Sequence, residues 1–200
     1  MITDLDKIYS HCEFLFSQST KRNLPFHNFK HTVEVLEYSK IIAINENVTP
    51  EVVNLVSIAA LYHDTGITET YQGHEVMSAL YAQLYLQKMG FLETAITIVT
   101  GCIHATKMPQ NPRTKLQQII CDADLSHLAA DNYLLKNKLL REEWEIELGK
   151  TYSDKEWINM NIDFLKTHTY FTSYGNKVLS TGKERNIERL EKKSLVDRPL

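Results

Sequence analysis

Apolar residues recur along this chain at helical spacing, and no run alternates with period 2 between turn signals, so the sequence predicts an all-α fold. Leu5, Ile8, Phe14 and Leu15 form one side of a helix over about residues 4–17. A second helix carries His27 and His31 on a face continued by Val35, Tyr38 and Ile42. Thr49-Pro50-Glu51 reads as an N-cap followed by proline at the first helical position. The helix it opens, over residues 52–62, is apolar almost all round and therefore central. A fourth helix spans about residues 73–89 and stops at Gly90, and a fifth spans about 93–104 with Ile96, Val99 and Ile103 inward. A sixth carries Ile119, Ile120, Asp122, Asp124, Leu125 and Leu128. Beyond residue 131 the pattern stays helical but more polar, with Ser153 and Glu156 spaced as a capping box before Ile158, Ile162 and Leu165. With no linker-like stretch and no repeat, the chain reads as one helical-bundle domain over residues 1–200. Its core is expected at about 22–131 and a helical C-terminal extension at about 132–195.

The composition narrows the function classes. A net charge of −3 with dispersed lysines and arginines offers no stripe for phosphate backbones, so no nucleic-acid partner is expected. The densest basic cluster, Lys183 to Lys193, is interleaved with Glu184, Glu188 and Glu191, the pattern of a solvated helix. The start shows no basic and apolar leader pattern and the longest apolar stretch is too short to span a bilayer, so neither a signal peptide nor a membrane partner is expected. Cys12, Cys102 and Cys121 contain no C-x-x-C and read as reduced thiols, which points to a cytoplasmic location.

The chemistry lies in an ordered series: His27-x3-His31, His63-Asp64, His74, His104, then Asp122-x-Asp124. Imidazole and carboxylate are ligands for first-row transition metals. His63-Asp64 ends the most apolar helix, where a buried carboxylate needs a compensating charge and a divalent cation supplies one. Residues two apart on a helix point about 200° apart, so Asp122 and Asp124 cannot face one ion. Asp124 is the favoured ligand and Asp122 a supporting or capping carboxylate. Lys107, Arg113, Lys115 and Arg141 are the candidate phosphate contacts. His127 is expected to support the site from outside it, and His11 and His168 to be structural.

These segments resemble the HD-domain superfamily of metal-dependent phosphohydrolases. Histidine, then His-Asp, then a late aspartate is that signature. FHNFKH (residues 26–31) and CDADLSH (121–127) are similar to stretches of cyclic-nucleotide phosphodiesterases. The order of His63-Asp64, His74, His104 and Asp124 resembles the binuclear HD hydrolases. LREEW (140–144), FLKTHTYFT (164–172) and RNIERL (185–190) look like the tail of the group known as predicted metal-dependent HD-superfamily phosphohydrolases. The chain departs from many relatives in having no lysine after Gly66 and Ala105 where some carry a further histidine.

The resemblance implies that His31, His63, Asp64 and Asp124 hold one divalent ion. Asp64, His74 and His104 hold a second, with Asp64 bridging. Fe, Mn, Co, Ni or Zn suits such a set. Asp64 and His27 are the implied catalytic residues. A metal-bound hydroxide attacks phosphorus in a nucleotide or other small phosphoester, and His27 protonates the departing oxygen. Two alternatives are a di-iron oxygenase on the same scaffold and a non-catalytic nucleotide-binding module.

Overall fold

The most apolar segment of the chain lies at its centre. In the computed structural model, which describes residues 4–19 and 24–196, α3 (Pro50–Tyr62) buries every residue from Val56 to Tyr62. The expected core boundary near residue 22 and the first three residues of the chain lie outside the described residues. Around α3 pack α1 (Asp4–Ser17), α2 (Phe29–Asn45), α4 (His74–Lys88), α5 (Glu93–Ala105) and α6 (Lys115–Asp124). Their shared core includes Ile8, Val35, Ile42, Leu86, Ile96, Ile103 and Ile119. Burying each such side chain contributes about 2 kcal/mol.

The last third adds α7 (Tyr133–Leu148), α8 (Asp154–Thr167) and α9 (Ser180–Val196), the last preceded by a π-helical turn, Gly175–Leu179. A second apolar cluster holds these helices to the turn Leu125–Ala129 through Leu125, Leu128, Tyr133, Ile158, Leu165 and Leu190. The described residues contain no strand, in agreement with the all-α expectation. No helix among them is long and apolar enough to cross a membrane.

Local signals act mostly as expected. Pro50 occupies the first turn of α3, Gly90 has φ 81° just past α4, and Ser153 and Glu156 form the reciprocal capping box of α8. Two expectations fail: the sixth helix ends at Asp124, so Leu125 and Leu128 lie in the turn beyond it, and the second helix starts later than its histidine spacing suggests. His27 is not on α2, because Asn28 is the N-cap and its side chain accepts from the backbone N–H groups of Lys30 and His31. His27 and His31 therefore do not share a helical face; His27 sits in the approach to the helix.

Candidate metal centre and its cavity

Asp64 is the hub of the site. It follows the C-terminal end of α3, and its side chain is only 5% exposed. Oδ2 lies 3.1 Å from Nε2 of His63 and 3.7 Å from Nε2 of His31, while Oδ1 lies 3.1 Å from Nε2 of His74. Asp124, the last residue of α6, places Oδ1 3.3 Å from His31 Nε2 and 3.6 Å from His63 Nε2. His31, His63 and Asp124 each offer a ligand atom within 4.8 Å of the others.

Backbone carbonyls decide which nitrogens face inward. His63 Nδ1 donates to the carbonyl of Ala60 (2.7 Å), and His74 Nδ1 donates to that of Tyr71 (2.9 Å). With Nδ1 carrying the proton, each neutral ring turns its Nε2 lone pair toward a carboxylate oxygen. Lone pair then meets lone pair unless a cation lies between them. His63 Nε2 and Asp64 Oδ2 are buried without a hydrogen-bond partner, which is how ligands present themselves to an ion. The donor set, nitrogen and carboxylate oxygen, fits a divalent transition metal.

The protonation tendencies express the same need. Burial alone would pull the His63 imidazole down, but the carboxylates of Asp64 and Asp124 outweigh it and hold its pKa well above the ordinary value. His74 follows suit: against the pull of burial, its contact with Asp64 raises it to about 9. Asp64 and Asp124 are displaced below the carboxylate range, since the facing imidazoles overcome burial. Positive charge between these groups is favourable, and an ion supplies it with fewer protons.

Beside the cluster, His27 is fixed by a residue the sequence reading did not single out. Glu143 of α7, fully buried, accepts from the backbone N–H groups of Phe26 (2.8 Å) and His27 (2.9 Å), from His27 Nδ1 and from the Tyr71 hydroxyl (2.9 Å). Burial lowers the His27 pKa, yet the Glu143 hydrogen bond and the charges of Asp64 and Glu143 reverse this and raise it. Phe26, itself buried, packs its ring against those of His27, His31 and His127 at 4.8 to 5.0 Å.

The remaining candidates separate. His104 closes α5 with an exposed ring that contacts none of the cluster. Asp122 turns away to accept from the backbone N–H groups of Phe171 and Thr172 and from the Thr172 hydroxyl, so it caps the segment before α9. His127 donates from Nδ1 to the Asp124 carbonyl (3.0 Å); burial and the nearby His31 push its pKa down to about 3. Lys115 pairs with Glu46, and Arg141 with Asp154 (2.6 Å), whereas Lys107 borders the cavity below without an ion pair.

That cavity, about 510 Å³, opens onto His27, Asp64, His74 and Asp124 and extends between α7 and α8.

Comparison with known proteins gives the family and the fold. Residues 28–129, just over half the chain, match the family model of the HD domain. Among curated proteins, none matches the chain. Among solved structures, a predicted HD superfamily hydrolase from an uncultured Thermotogales bacterium is 20% identical, with TM-score 0.66, covering 96% of this chain and 91% of that one. The Lin1889 protein of Listeria innocua is 15% identical (TM-score 0.65; 98% and 100% covered). YpgQ of Bacillus subtilis, solved in complex with ADP, is 16% identical (TM-score 0.65; 95% and 97% covered). At these identities the likeness shows the shared fold. The matched segment contains His31, His63, Asp64, His74, His104 and Asp124, and the chain belongs to the HD domain family.

Proposed function

We propose that this chain is a metal-dependent hydrolase of phosphoesters, acting on a nucleotide or another small phosphoester. The observation that supports this most is the placement of Asp64: its two oxygens face different histidines whose Nδ1 protons are already committed elsewhere. His31, His63, Asp64 and Asp124 would hold a first ion. A second would take Asp64, His74 and His104. His74 already faces Asp64 and His104 stands apart, so a second ion would be held more weakly. Bound ions supply charge neutralisation on the phosphoryl oxygens and a water acidified toward neutrality.

The chain's own residues supply the rest. His27 has Nδ1 tied to Glu143, which leaves Nε2 as the nitrogen able to act on substrate, and the Glu143 hydrogen bond favours the protonated ring. As the water oxygen bonds to phosphorus and the ester P–O bond breaks, His27 delivers a proton to the departing oxygen, releasing an alcohol and phosphate. Phe26 excludes water beside it. Lys107 at the cavity edge meets phosphate charge. The ADP bound by YpgQ supports a nucleotide among the candidate substrates.

The test is metal analysis with turnover of aryl phosphates and nucleotides by the metal-reconstituted chain. Asp64→Asn is expected to lose both metal and activity. His27→Ala is expected to keep its metal and lose on the order of 10²- to 10⁴-fold in rate on poor leaving groups, and less on p-nitrophenyl phosphate, whose leaving group needs no proton. Metal-loaded protein inert across the panel would sink this reading. Substrate-dependent O2 uptake by the iron-loaded chain would favour an oxygenase instead, and tight nucleotide binding without turnover a binding module.

A further inference from the structure

The cavity beside the metal centre is apolar at the end away from it. Leu140, Trp144 and Leu148 of α7 and Trp157, Met160 and Phe164 of α8 line the space, with the Trp144 and Trp157 rings packed edge to face at 5.5 Å. Its volume, about 510 Å³, is more than three times the ~150 Å³ that accommodates benzene. It therefore has room for an organic group well beyond a phosphate.

At this end, between α7 and α8, the polar side chains are already engaged with one another, whereas Gln72 and Glu75 line the space nearer the metal centre. Trp157 Nε1 donates to Asn137 Oδ1 (2.7 Å), and Asn137 Nδ2 donates to Asn161 Oδ1 and to the Tyr133 hydroxyl (3.2 Å). The Tyr133 hydroxyl donates to Asn161 Oδ1 (3.3 Å), and Asn161 Nδ2 to the Trp157 carbonyl (2.7 Å). One N–H of Asn161 is left over. A nucleobase edge and a ribose lodged between α7 and α8 would bring several donors and acceptors against walls whose polar side chains there are almost all taken, and unanswered buried polar groups cost affinity. Of the two lysines among the described residues lining the space, Lys136 is paired with Glu34 and Lys107 has no ion pair among the described residues.

We infer that the substrate is a phosphoester of an apolar alcohol, an alkyl or aryl phosphate whose organic group fills the space between α7 and α8. The inference rests on the phosphohydrolase reading and narrows it away from nucleotides. Hydrolysis then adds water across the P–O bond and releases the apolar alcohol and inorganic phosphate.

The chain's two tryptophans, Trp144 and Trp157, both line the cavity, so intrinsic fluorescence reports its occupancy. The chain without added metal is titrated with methyl-, butyl- and octylphosphonate and with AMP. Affinity is expected to rise about fourfold per methylene along the series until the cavity is full. Octylphosphonate should bind at least tenfold more tightly than AMP. Met160→Glu, at a half-buried lining position, should weaken octylphosphonate at least tenfold, and Leu148→Glu serves as a second variant should the first fail to fold. A flat series, no fluorescence response, or AMP binding as tightly as octylphosphonate overturns the inference, even where the metal-loaded chain hydrolyses phosphoesters. A clear chain-length gradient with no hydrolysis of any phosphoester removes the phosphohydrolase reading instead, and with it the role of the apolar group as part of a substrate.

Discussion

Glu143 has no exposed surface, yet four donors converge on it, two of them the backbone N–H groups that set the path of the chain just before α2. A buried carboxylate is retained at a desolvation cost that only such complete bonding offsets. Its effect on His27 is to pin the ring and favour its charged form. Glu143→Gln keeps the shape and removes the charge. The folded His27 pKa is raised, so its proton is held at low pH and lost as pH rises; without Glu143 that loss moves to lower pH. The expected outcome is a rate lowered on the order of 10- to 100-fold with the basic limb of the pH–rate profile shifted downward, while metal content is unchanged. A lowered rate with the limb unmoved would make Glu143 a scaffold residue only. His168 is the converse case. Its ring packs edge-on to Tyr170 at 4.7 Å, and neither nitrogen has a hydrogen-bond partner among the described residues. Burial, aided by Lys183, pushes its pKa down to about 4. Above pH 6.5 neither folded nor unfolded chain protonates it. As pH falls from 6.5 to 4 the unfolded chain takes up a proton that the folded ring refuses, so stability drops, by about 2 kcal/mol. His168→Phe keeps the ring and removes that linkage, so urea midpoints measured between pH 7 and 4 should fall less steeply in the variant. Equal slopes would show that the ring is solvated.

At the scale of elements, the pairing of Asp64 with His74 depends on how tightly the chain turns between α3 and α4. Gly66 donates its backbone N–H to the Ser78 hydroxyl at 2.8 Å, and an added Cβ would lie 2.6 Å from the Ser78 nitrogen and closer still to the His74 carbonyl oxygen. The turn therefore touches the first turns of α4 backbone to backbone. That approach holds His74 Nε2 3.1 Å from Asp64. Gly66→Ala must push α4 outward; a cost of about 3 kcal/mol is expected from such overpacking, together with loss of the weaker metal equivalent before the stronger. A urea midpoint unchanged from the parent, with metal stoichiometry intact, would contradict this. In the sequence Gly66 was legible only as the place where the chain leaves α3, because close backbone approach leaves no local pattern. Helix ends were read well where the signal is local, as at Pro50, Gly90 and Ser153. His27 was misplaced because Asn28, an N-cap by chemistry, sat inside a tempting i,i+4 histidine pair. Glu143 lay within a quoted motif, LREEW, but nothing at short range distinguishes a carboxylate that turns inward 116 residues from its partner from the solvated glutamates around it.

For the whole molecule, the site is divided between two parts of the chain. The candidate ligands come from the segment that matches the HD domain, whereas Glu143 and the apolar end of the cavity come from α7 and α8, beyond residue 129. Ligand order could be read from sequence because each ligand is tied to a helix end; the cavity could not, because it exists only between helices that meet in three dimensions. The division makes folding and metal loading interdependent. Asp64, His63, His31 and Asp124 are drawn from α2, α3 and α6 or from the end of α3, so an ion among them links helices that otherwise meet through apolar contacts. The unfolded chain keeps no such arrangement, and an ion that binds only the folded form stabilises it by about 4 kcal/mol at a thousandfold excess over its dissociation constant. For a chain of this length that corresponds to a rise in Tm of roughly 10 °C. The expected result is a melting temperature that climbs with added Mn or Zn and returns on chelation. Asp64→Asn should show no climb, and His104→Ala should keep most of it, since the first ion does not use His104. A rise of equal size in Asp64→Asn would place the stabilising ion elsewhere and remove the central ligand from the proposed site.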